Sequence, residues 1–190
     1  MPSYQQKHLT IQVSEFHDRL LPLLREQVFH VTSHDGFLSI ETVGLISANK
    51  EGSFGNTYHR SAESFGRKHG YVCLFDFRNQ PDEAVEWGLF CFDSLLPPQL
   101  GNDLVFLMLS PESYTRILLW GDPSCPKDDE KYSVRRIPRV ECWYPGDMPL
   151  PEINRVLFVH VNRSVPPPDS LSARMGAVLD ELWSVRPPRD

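Results

Sequence analysis

Long apolar runs are missing from this sequence, and so are the familiar nucleotide-binding and hydrolase signatures. No stretch approaches the roughly eighteen consecutive apolar residues of a membrane span. The polar start Met1-Pro2-Ser3-Tyr4-Gln5-Gln6-Lys7 also lacks the apolar core of a secretory signal, so a cytoplasmic location is expected. The chain has no G-x-G-x-x-G, no Walker loop, no G-x-S-x-G and no H-E-x-x-H. The common dinucleotide, P-loop and hydrolase folds thereby lose their main support. Cysteine is scarce: Cys73, Cys91, Cys125 and Cys142 stand far apart, with no C-x-x-C pair and no histidines at zinc spacing, which argues against structural zinc or any other metal site. Cys73 and Cys91 lie in apolar runs, where a free thiol behaves as a small buried hydrophobe.

What is present is ordinary globular composition. In 190 residues, 41% are hydrophobic and 23% charged, enough to bury one core. We expect a single domain over residues 1–185 and a frayed tail at 186–190, where Pro187-Pro188 falls. A net charge of −6 excludes a surface basic all over, as wrapping nucleic acid or lying on anionic lipid would need, but leaves room for local basic patches.

Phe16, Leu20, Leu24 and Val28 recur at steps of four and predict a helix over Ser14 to Gln27, interrupted by Pro22. Val28 to Thr32 reads as a strand, and Ser33 as the cap of a helix from His34 to Val43 that Gly44 stops. A short helix capped by Ser61 is expected before the strand Tyr71 to Phe77, with a helical turn opening at Pro81. Leu104 to Leu109, Arg139 to Tyr144 and Arg155 to Val161 read as strands, and Pro111 to Leu118 as a short helix. Asp122 to Lys131 reads as a loop, and Ser170 to Trp183 as a closing amphipathic helix. Strands and short helices without regular βαβ spacing indicate a mixed α+β fold.

Three polar residues stand on or beside otherwise apolar strands: His30, Arg78 and Glu141. Such positions are costly unless the group is paired or used. Each has a plain structural reading: His30 as a hydrogen-bonded core or rim residue, Arg78 as a charge paired with Asp76 or Asp82, Glu141 as the wet face of an edge strand.

Taken together, their surroundings resemble a known family. Phe29-His30-Val31-Thr32 followed by a helix and Gly44-Leu45-Ile46-Ser47 resembles the opening of ADP-ribosyltransferases of the DNA-modifying DarT type, with their H-x-T strand. Gly70 to Arg78 is similar to that family's aromatic strand ending in arginine. Val140-Glu141-Cys142-Trp143-Tyr144-Pro145 and Pro149 to Val156 resemble its A-E-V-L-V-P segment and the turn behind it. The resemblance covers Val28 to Val161 in scattered pieces. It implies a split, twisted mixed sheet with a cleft for NAD, and release of nicotinamide with transfer of ADP-ribose to nucleic acid or protein. On this basis Glu141 is expected to be catalytic, stabilising positive charge on the ribose. His30, Thr32 and Arg78 are expected to bind NAD, with one His30 nitrogen anchored to the protein and the other donating to a ribose hydroxyl, and the Arg78 fork on the pyrophosphate.

Arg139 stands two places before Glu141, where arginine-modifying relatives carry a second carboxylate, so arginine is not the expected acceptor. Arg136 and Arg139, with Tyr58, are candidate acceptor-binding residues for single-stranded nucleic acid, against the alternative of a solvated charged face. A non-catalytic interaction module, an NAD glycohydrolase and an RNA 2′-phosphotransferase remain alternatives. A toxin-like, DNA-directed role rests on the resemblance alone.

Overall fold

The computed structural model describes residues 4–12, 15–54, 64–86, 103–119, 121–125 and 139–162. The expected C-terminal helix, Cys91, Tyr58 and Arg136 lie outside these. Six strands form one mixed sheet: β1 (Gln5–Gln12), β2 (Val28–Ser33), β4 (Tyr71–Asp76), β5 (Asp103–Leu109), β6 (Glu141–Pro145) and β8 (Ile153–Asn162), in the order β1-β8-β5-β2-β4-β6. Only β1 and β8 run parallel; the other pairs are antiparallel. The small strands β3 (Leu45–Ile46) and β7 (Met148–Pro149) pair apart from it.

Side chains alternate across a strand, and the core divides accordingly. Phe29, Val31, Leu104, Phe106, Met108, Leu157 and Val159 point to a first face, covered by Phe16, Leu20 and Leu24. Val28, Leu74, Val105, Leu107, Leu109 and Val156 point to the second, covered by Phe37 of α2 (His34–Val43). β5 is buried on both faces, which is why it reads as an unbroken apolar run.

The helix expected over Ser14 to Gln27 is a wide π turn at Phe16–Leu20 and one α turn, α1 (Leu21–Leu24). Pro22 has no N–H and its ring crowds the carbonyl four residues back, so a regular α-helix cannot run through it. Arg25 leaves the helix with extended backbone, and Glu26 turns at φ 63°. α2 is as expected: Ser33 Oγ accepts from the Gly36 N–H at 3.1 Å, and Gly44 closes it at φ 78°. α3 (Phe65–His69) is capped by Ser64, whose Oγ accepts from the Arg67 N–H, and its Phe65 packs on Trp143; Ser61, the expected cap, lies outside the described residues. Pro111–Arg116 is 3-10 helix, and residues 82–86 are helical. Among the described residues no helix is long and apolar enough to cross a membrane.

β2 and β4 pair only at Val28 with Asp76 and Phe29 with Phe75. This narrow join divides the sheet into β1-β8-β5-β2 and β4-β6, and the residues of interest gather around it.

Candidate functional site

Arg78 stands two residues beyond the end of β4. Its Nε donates to Asp76 Oδ1 at 2.9 Å and its Nη2 to Asp76 Oδ2 at 2.7 Å, a bidentate fork. The Arg78 N–H also donates to Asp76 Oδ1, closing the turn between them. The guanidinium stands over the Tyr114 ring, 4.1 Å from its centroid. Asp76 is only 5% exposed, and its hydrogen bond to Arg78 holds that guanidinium above its ordinary pKa. Of the two partners expected for Arg78, Asp76 takes it; Asp82 bonds Arg25.

Glu141 opens β6 and is also 5% exposed. Opposite Phe75 in register, it faces the first side of the sheet. There the Trp143 Nε1–H donates to its Oε1 at 3.2 Å. Cys73, the register partner of Trp143, is close enough to feel the Glu141 charge. Burial, reinforced by that charge, pushes the Cys73 thiol up to about 12, so it stays protonated. α3 closes over this group: a Cβ at Gly66 would come within 2.4 Å of Cys73 Sγ and 3.1 Å of Trp143 Cδ1.

A cavity of about 460 Å³ lies where β4 ends and β6 begins, lined by Asp76, Arg78, Asn79, Gln80, Leu119, Arg139, Glu141 and Cys142. That volume lies within the range of small-molecule sites. Two of the lining residues, Asn79 at φ 51° and Arg139 at φ 69°, hold left-handed backbone. Asparagine takes that conformation readily; arginine does not, and strain of this kind collects at functional sites. The cavity therefore brings together Arg78, Arg139 and Glu141.

It does not take in His30 or Thr32. His30 alternates with Val28 and so faces the second side of the sheet, opposite to Glu141. Beyond Phe29, where β2 and β4 part, His30 Nδ1 meets the Cys73 carbonyl at 2.9 Å. A carbonyl only accepts, so Nδ1 carries the proton. Burial lowers the pKa of His30 despite that bond, which favours the neutral ring, and Nε2 is then a lone-pair acceptor. One ring nitrogen is anchored to the protein, and in the neutral ring the other offers a lone pair rather than an N–H. Thr32 is buried beneath the first turn of α2, where a Cβ at Gly36 would lie 2.2 Å from Thr32 Oγ1.

Sequence reasoning named Arg78, Arg139 and Glu141 and passed over Tyr114, Leu119 and the hydrogen-bonding role of Trp143. The last had a readable signal: residues two apart on a strand share a face. Tyr114 and Leu119 had none, since tertiary folding alone brings them here. No family model matches this chain, and neither does any curated protein or solved structure.

Proposed function

We propose that this chain is an NAD-dependent ADP-ribosyltransferase, a cytoplasmic enzyme that moves ADP-ribose to a macromolecular acceptor, nucleic acid or protein, and releases nicotinamide. The observation that carries the reading is the joint lining of one cavity by two guanidiniums and two buried carboxylates, Asp76, which is locked to Arg78, and Glu141. In this reading the bond between nicotinamide nitrogen and ribose C1′ breaks, its electron pair leaves with neutral nicotinamide, and the ribose carbon becomes cationic. Glu141 stabilises that cation and takes a hydrogen bond from the 2′-hydroxyl. Arg139 and the part of the Arg78 fork not engaged by Asp76 hold the pyrophosphate. The acceptor nucleophile then attacks C1′ and loses its proton. The DNA-directed, toxin-like role belongs to this proposal.

The bidentate lock of Arg78 on Asp76 favours a second reading, a non-catalytic module whose charges are structural. Incubation with NAD labelled on the adenylate, against separate pools of DNA, RNA and protein, tests the choice. Label retained in one pool, with free nicotinamide, supports the transferase and names the acceptor. Free ADP-ribose alone makes the chain an NAD glycohydrolase. Loss of a 2′-phosphate from RNA, with that phosphate passing to the ADP-ribose as nicotinamide leaves, makes it an RNA 2′-phosphotransferase, and no product at all leaves the module.

A further inference from the structure

Resting on the reading of Glu141 as the reacting carboxylate, we infer that Trp143 is its positioning residue: the indole N–H holds one carboxylate oxygen and fixes the direction in which the other faces the cavity. The geometry is strand geometry. Residues 141 and 143 project from the same side of β6, so the indole meets the carboxylate without any loop to arrange it. Their hydrogen bond is 3.2 Å long, within a buried setting where a donor to a charged group is worth more than in water.

The indole is itself immobilised. Phe65 packs on it with ring centroids 4.5 Å apart, and Gly66 leaves no room for a Cβ between α3 and the Trp143 ring. The backbone of Trp143 is pinned on its other side by Leu118, through N–H to carbonyl bonds of 3.0 and 2.7 Å. A carboxylate tethered to a side chain this firmly held is pre-organised, whereas one on a strand end without such a donor is free to swing. The protonated Cys73 thiol stands beside Glu141 and is held toward Ser64 Oγ at 3.7 Å. Among the described residues, the other titratable and charged groups around Glu141 include Asp76, Arg78, Arg139 and Cys142 of the cavity and His69 of α3, behind Phe65.

Two measurements on the full chain test this. In ¹⁵N NMR the Trp143 indole resonance, assigned by triple-resonance experiments, is followed through an acid titration in the native protein and in Glu141→Gln. The expected result is a resonance that moves as the carboxylate protonates in the native protein and stays still in the variant. The same movement in both would overturn the inference, whether or not the chain turns over NAD. In the kinetic arm Trp143→Phe keeps the ring packing and removes the donor. It should lower kcat for nicotinamide release about tenfold with KM nearly unchanged, and move the acid limb of the rate to higher pH. A native kcat and pH profile in that variant would also overturn it. Should the native chain release no nicotinamide, the proposed activity falls, and the NMR arm still decides the hydrogen bond.

Discussion

Asp76 and Arg78 show how a single residue can be read two ways. Paired, they are a structural device: a buried carboxylate satisfied by three donors from Arg78, its main-chain N–H and two guanidinium nitrogens. Breaking such a pair leaves the surviving charge uncompensated, at up to 3–5 kcal/mol where burial is complete. The Arg78 side chain is 24% exposed, so the cost is smaller. Asp76→Ala should lose about 2 kcal/mol in denaturant unfolding; an unchanged midpoint would show the pair to be ornamental. His30 gives a prediction in pH. Its folded pKa lies below the ordinary value of 6.5, so the unfolded chain binds the proton more readily. Stability should therefore be fully present above that value and decline as pH falls toward the folded pKa. His30→Gln should flatten this slope, measured as melting temperature between pH 7 and pH 5, and an equally steep slope in the variant would place the titration elsewhere.

At the scale of elements, α3 is short but decides the shape of the site, because Gly66 lets it sit directly on β4 and β6. Alanine at this position gains roughly 1 kcal/mol in helix propensity. Against that, its Cβ would stand 2.4 Å from Cys73 Sγ and 3.0 Å from the Tyr71 carbonyl, and main chain cannot yield as a side chain can. Overpacking typically costs 1–3 kcal/mol, so Gly66→Ala should be destabilising on balance, with a lower melting temperature and a displaced Trp143 indole resonance. A variant as stable as the native chain would mean that α3 can lift without cost. The elements themselves were largely legible. β5 and β8 announced themselves by apolar content, and α2 by Ser33 and Gly44 at its ends. β1 did not: Gln5-Gln6-Lys7-His8 is polar and exposed, and its strand comes from parallel pairing with β8 at the sheet edge. Nor was the site fully legible. The sequence places His30 and Glu141 on strands, but strand register decides which face each takes, and register emerges only from pairing.

Over the whole molecule, the sheet is a broad antiparallel block closed by one parallel edge, joined to the β4-β6 pair across two residue pairs. The block holds both halves of the core; the narrow join and the cavity beside it gather charged groups, two of which, Asp76 and Glu141, are buried. A net charge of −6 means that any anionic ligand approaches against the overall field, so Arg78 and Arg139 must act at short range. The most direct measurement is the rate of nicotinamide release from NAD by the native chain and by Glu141→Gln, which keeps the side-chain volume and removes the charge. The account predicts release by the native protein and a loss of about 10²-fold or more in the variant, with its melting temperature little changed. Equal rates in the two proteins, or no release by either, would contradict it.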